Sequence, residues 1–131
     1  MIKLFLSLHI VEDRLAFNPP LPVEKNISCF DLDNYSDDLV TNTAIQAVDQ
    51  AEKVVVFITS SSPNSKLGSV LKLLNVLVRN KRQKLLIYNG SHPMLDKMLG
   101  MFRDSEVYRD LNDTEVRHRT SAFLDQDYAN N

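Results

Sequence analysis

Three groups of side chains in this sequence have the types and spacing to do chemistry. The first is the hydroxyl run Thr59, Ser60, Ser61 and Ser62, followed by Pro63 and Asn64. Serine hydroxyls both donate and accept, which suits the hydroxyls of a ribose. A helix opening just after such a run also offers unpaired N–H groups and partial positive charge to an anion. The second is the acidic set Asp31, Asp33, Asp37 and Asp38, whose carboxylates could hold a divalent cation or a ribose diol. The third is the histidines His9, His92 and His118, of which His9, near the end of an apolar run, is placed to act as an acid or base.

Each group also has a purely architectural reading. The serine run lacks the glycines that let a backbone wrap phosphate: the chain has 3 glycines, and neither G-x-G-x-x-G nor the P-loop pattern occurs. Asn64 or Ser65 can simply cap the helix that follows. The aspartates match no calcium loop, and carboxylates near a helix start favour the macrodipole without any ligand. The histidines have no metal-ligand spacing, and no G-x-S-x-G elbow presents a nucleophile. The basic run Arg79, Lys81, Arg82 and Lys84 closes a helix, where cations suit the dipole.

The elements that must position these residues follow from the apolar pattern. Strands are expected at 2–8 (IKLFLSL), 27–33 (ISCFDLD), 53–59 (KVVVFIT) and 82–89 (RQKLLIYN), with a short fifth at 105–111. Several of these runs have no polar face, as strands covered on both sides require. Between the first two strands Glu12 to Phe17 can form a helical turn, but Pro19, Pro20 and Pro22 stop a longer helix. A helix capped by Asn34 or Ser36 is expected through about Ala51, with Val40, Ala44, Ala47, Val48 and Ala51 as its stripe. A second runs from about Ser65 to Asn80 on Leu67, Val70, Leu71, Leu74, Leu77 and Val78. A third is capped by Ser91 and carries Met94, Leu95, Met98, Leu99 and Phe102. A weaker last helix is capped by Asp113, and the chain from about residue 125 reads as a frayed tail.

Strands alternating with helices of this length indicate one α/β domain spanning 1–131, a three-layer sandwich on a mostly parallel sheet of four to five strands. In such sheets ligands bind beyond the carboxyl ends of the strands, near the switch in strand order. That rule selects Asp31, Asp33, Ser60, Ser61, Ser62 and Asn64 as the candidate ligand-binding set, with Ser7, His9, Thr59, Asn89 and His92 nearby. No catalytic residue, metal or cofactor is singled out.

Composition narrows the classes. An apolar fraction of 44% and a charged fraction of 24% fit a soluble domain with its own core. A net charge of −2 gives no broad basic surface for nucleic acid. No run approaches the ~18 apolar residues that span a bilayer. The N-terminal run lacks a small-residue cleavage site, so a cytoplasmic location is expected. The single cysteine, Cys29, lies in an apolar run and reads as a small buried core residue.

The order of these features resembles the Toll/interleukin-1 receptor (TIR) family. KLFLSLHIVED is similar to that family's opening strand with its serine and acidic residues, and ISCFDLD to a second strand ending in aspartate. AIQAVDQAEKVVVFITSSSPNS is similar to the helix, valine-rich strand and Ser/Asn-rich loop that follow. The likeness covers roughly residues 1–90. It implies a flavodoxin-like fold and a protein-interaction or signalling role, with self-association or another protein as partner. NAD-cleaving members carry a glutamate on the helix after the serine loop. Here SKLGSVLKLLNVLVRN contains no acid and KLGS replaces the family's tryptophan–cysteine pair, so the resemblance implies a module without that activity. Nucleoside deoxyribosyltransferase-like proteins share the early layout, AVDQAEKVVVFI included, and they too use a glutamate at that place. The alternative expectation is therefore a nucleotide- or nucleoside-binding enzyme of the N-glycosidase or transferase class, with an acid from the second strand in the missing role.

Overall fold

Runs such as Val54–Ile58 and Leu85–Tyr88 are apolar on both strand faces, so they can only sit between two helical layers. The computed structural model, which describes residues 3–12, 27–80, 83–102 and 105–125, places them there. Its strands are β1 (Lys3–Ile10), β2 (Ile27–Asp33), β3 (Lys53–Ser60), β4 (Gln83–Gly90) and β5 (Glu106–Arg109). Its helices are α1 (Asp38–Gln50), α2 (Ser69–Arg79), α3 (Pro93–Leu99) and α4 (Asp113–Leu124). The five strands form one sheet in the order β2-β1-β3-β4-β5, and every neighbouring pair is parallel. This is a flavodoxin-like α/β fold whose strand order switches between β1 and β3.

Strand parity divides the core in two. Even-numbered residues of the central strands, among them Leu4, Leu6, Leu8, Val54, Val56, Ile58 and Leu86, pack against Ala44 and Val48 of α1, Leu73 and Leu77 of α2, and Leu95 and Met98 of α3. Odd-numbered residues, Phe5, Val55, Phe57, Leu85 and Ile87, pack against Val116, Phe123 and Leu124 of α4. Buried Lys53 joins this second layer to the sheet, its ammonium donating to the Phe123 carbonyl at 2.9 Å and lying 5.1 Å from that ring.

The strands match the expected runs to within one or two residues, and the fifth forms over its central four. Helix starts differ more. Asp37, rather than Asn34 or Ser36, caps α1 through Val40 N; His92, rather than Ser91, caps α3 through Met94 N; and Asn112, rather than Asp113, forms a capping box with Glu115 at α4. The second helix begins at Ser69, four residues later than expected, behind Gly68 with no side-chain cap. Cys29 corrects the expectation of burial: it is exposed. The reason is its place on the edge strand β2, on the face whose buried cluster is built on β1, β3 and β4. Val40 and Met94, assigned to apolar stripes, are exposed at the first turns of their helices. The proline segment and the chain beyond 125 lie outside the described residues. No helix of the described residues is long and apolar enough to cross a membrane.

Candidate functional site

The carboxyl ends of β1, β2 and β3 hold a polar network on the α4 face of the sheet. Register sets it. Ser7 lies opposite Asp31 on β2, and His9 lies between Asp33 on β2 and Thr59 on β3. Thr59 in turn lies opposite Asn89 of β4. Parallel pairing thus aligns Asp33, His9, Thr59 and Asn89 in one row across four strands, and side chains of one row share a face.

His9 is the centre of this network and is 3% exposed. Its Nε2 lies 2.8 Å from Asp31 Oδ1 and 2.6 Å from Ser7 Oγ, and its Nδ1 lies 2.5 Å from Thr59 Oγ1. A carboxylate only accepts, so the imidazole proton belongs on Nε2, and the Thr59 hydroxyl donates to Nδ1. The Phe57 ring meets the imidazole edge-on at 6.4 Å. Burial pushes the His9 pKa below its ordinary value, and the neighbouring Asp31 and Asp33 carboxylates pull part of the way back. Asp31 itself is 42% exposed at its side chain, so it connects the buried imidazole to solvent.

Above this row the three loops are tied to one another, chiefly through Asn34. Its amide donates to the carbonyls of Val11 (3.0 Å) and Lys66 (3.1 Å), and its Oδ1 accepts from Val11 N at 2.9 Å. Its backbone N–H donates to the His9 carbonyl. Gly68 adopts φ +57°, and a Cβ there would stand 2.1 Å from the Asn34 carbonyl oxygen. The turn between β2 and α1 therefore lies directly against the first turn of α2.

The sequence-selected residues divide between several places. Asp31 and Asp33 share the face of His9. Asp33 Oδ1 accepts from Tyr35 N at 2.7 Å, and its carbonyl accepts from Ser69 Oγ at 3.3 Å. Ser60, one residue out of phase, belongs to the opposite face, and its buried hydroxyl has no hydrogen-bond partner among the described residues. Ser61 donates to the Ile10 carbonyl through both N and Oγ. Ser62 and Ser65 bond each other at 2.6 Å, and Asn64 is exposed at the tip of the turn. The serines thus stitch their own loop to β1, and they do not converge with the aspartates.

A second cluster closes the ends of β4 and β5. The Asn89 amide and the Leu111 backbone exchange two hydrogen bonds, at 2.7 and 3.0 Å. His92 reaches the Ser65 carbonyl at 2.7 Å, linking the serine loop to α3. Arg109 stacks 4.5 Å over the Tyr88 ring and donates to the Gly90 carbonyl. Burial first, then the Asp96 carboxylate, push the Tyr88 phenol up to about 12, while Arg109 opposes them, so this hydroxyl stays protonated. Among the described residues no three His, Cys, Asp or Glu side chains group closely enough to hold a metal ion.

Sequence reasoning named His9, Ser7 and Thr59 as strand-end residues but had no means to join them, because register between strands is not written in any one strand. Asn34 appeared as a helix cap and is instead the knot between three loops. Comparison with protein-family models, with curated proteins and with solved structures gives no match to this chain.

Proposed function

We propose that this chain is a TIR-like protein-interaction module that docks a protein partner at the start of α1. The observation that carries this reading is a cluster of exposed apolar side chains within six residues: Leu39 at 77% exposure, Tyr35 at 42% and Val40 at 40%. Exposed large side chains grouped on a fixed backbone mark interaction sites. The backbone here is fixed. Asp33 holds Tyr35 N, Asn34 anchors the turn, and the Tyr35 hydroxyl donates to the Glu12 carbonyl. Exposed Asp37 and Asp38 stand between the aromatic and the leucine. That combination fits a partner presenting an apolar anchor flanked by Lys or Arg. The internal bonding of Ser61, Ser62 and Asp33 supports the same reading, since a nucleotide would have to displace those bonds.

The test uses Leu39→Asp. An acid in the first turn of a helix favours the macrodipole, so the variant keeps its fold and melting temperature. A partner captured by cross-linking in the source cell and then purified is expected to bind the variant about tenfold or more weakly in calorimetry. Unchanged affinity would remove this surface from the proposal. Release of free base from NAD or a nucleoside by the purified chain, lost in Asp33→Asn, would replace the module reading with the N-glycosidase one.

A further inference from the structure

We propose that two copies of this chain pair through β5, antiparallel across a twofold axis at Val107, to form one ten-stranded sheet. The dimer does not depend on the surface of α1; either can fail without the other. β5 is the edge of the sheet, and its residues Glu106, Val107 and Arg109 are exposed, Val107 at 40%. Natural edge strands are blunted by proline, bulges, charged side chains or shortness; Glu106–Arg109 has no proline or bulge, and although it is short and charged, its two charges are of opposite sign.

Backbone direction and parity fix the register. The Asp110 N–H donates to the Tyr88 carbonyl on β4. Along a strand the hydrogen-bonding groups alternate in direction, so Glu106, Tyr108 and Asp110 turn theirs toward β4, and Val107 and Arg109 turn theirs outward. A twofold axis perpendicular to the sheet keeps each face on its own side, so opposed residues must have the same parity. Centring the axis on Val107 meets both conditions. Val107 then exchanges both backbone bonds with its own copy, and the outward groups of Arg109 face the partner's chain just before its strand begins.

The side chains are complementary in that register. On one face the two valines meet at the axis. On the α4 face Glu106 lies opposite the partner's Tyr108. Within each chain Arg119 stacks 4.4 Å over Tyr108 and donates to its hydroxyl at 3.3 Å. Each Glu106 carboxylate therefore meets an arginine already held on the facing tyrosine, twice by symmetry. The opposite edge, β2, carries Asp31 and Asp33, and a twofold pairing there would crowd carboxylates together. A strand of 4 residues covers less area than a standard interface, so the association is weak and rises with concentration.

Sedimentation equilibrium over a concentration series tests this directly. The wild-type chain is expected to shift from monomer to dimer, Val107→Lys and Glu106→Arg to remain monomeric, and Glu106→Arg with Arg119→Glu to regain the dimer. Opposed hydrogen-bonded residues have Cα atoms about 5.5 Å apart, within disulfide range. In a Cys29→Ser background, Val107→Cys is expected to give a cross-linked dimer under oxidised glutathione, whereas Glu106→Cys, facing tyrosine, does not. These positions are exposed, and unchanged melting temperatures will show that the variants fold. A chain that stays monomeric to its solubility limit overturns the proposal. So does a dimer indifferent to Val107→Lys, or equal cross-linking at 106 and 107.

Discussion

His9 is where a single residue controls the most. Its ring is neutral in the fold because burial outweighs the attraction of Asp31 and Asp33. In the unfolded chain it titrates at its ordinary value of 6.5, so below that pH the unfolded state binds a proton that the folded state refuses. Stability from this residue is thus complete above the ordinary value and lost as pH falls below it. The urea midpoint is expected to be flat above about pH 7 and to drop toward about pH 5. His9→Gln should be less stable throughout, having lost bonds to Asp31 and Thr59, but without that share of the drop. An identical pH profile in the variant would show that the imidazole is not the group responsible. The strand-end position of His9 was legible from the sequence. Its burial and its pairing with Asp31 were not, because they depend on a residue 22 positions away brought alongside by sheet register.

At the scale of elements, the strands were legible because short runs apolar on both faces, such as Val54–Ile58 and Leu85–Tyr88, have one stable place in an α/β protein. Helix starts were less so. The chain offers several Ser, Asn and Asp candidates before each helix, yet only α1 and α4 use one, because the way the preceding loop packs decides which side chain, if any, reaches the first turn. The second helix shows this best. Ser65 looked able to cap it, but Ser65 is engaged with Ser62 and with His92, and the chain enters the helix through Gly68 against Asn34. Gly90 makes the corresponding approach at the end of β4, with φ +97° and a Cβ position 2.1 Å from the Ser60 carbonyl oxygen. Both glycines combine a left-handed backbone with a contact that leaves no room for a side chain. Gly68→Ala and Gly90→Ala are each expected to cost about 1–3 kcal/mol from backbone strain alone, before the clash is added. Gly100, in right-handed helical geometry with its nearest Cβ neighbour at 3.6 Å, is the control. Its replacement by alanine should be neutral or stabilising by up to about 1 kcal/mol. Denaturant midpoints of the three variants decide the matter; equal effects at all three would mean that the loop contacts at 68 and 90 yield easily.

For the whole molecule, the two faces of the sheet are not equivalent. Among the described residues one face carries α1, α2 and α3, with α1 and α2 also packed on each other, while the other carries α4. A helix of 12 residues is marginal in isolation, so α4 depends on what it buries. That is Val116, Thr120, Phe123 and Leu124, with Lys53 holding the Phe123 carbonyl. The sheet beneath does not depend on α4 to the same degree, because β1 and β3 are hydrogen-bonded on both sides and buried on both faces. The molecule should therefore open in two steps, α4 lifting before the sheet separates. Native-state hydrogen exchange is expected to show the amides of β1 and β3 opening only with global unfolding, and those of α4 through a smaller event of lower free energy. Phe123→Ala should lower the opening energy of α4 by about 3–5 kcal/mol or melt it outright, leaving the central strands far better protected than the helix. If α4 and β3 amides instead exchange at one common free energy, and Phe123→Ala lowers both alike, the molecule is a single cooperative unit and α4 is as integral to it as the strands.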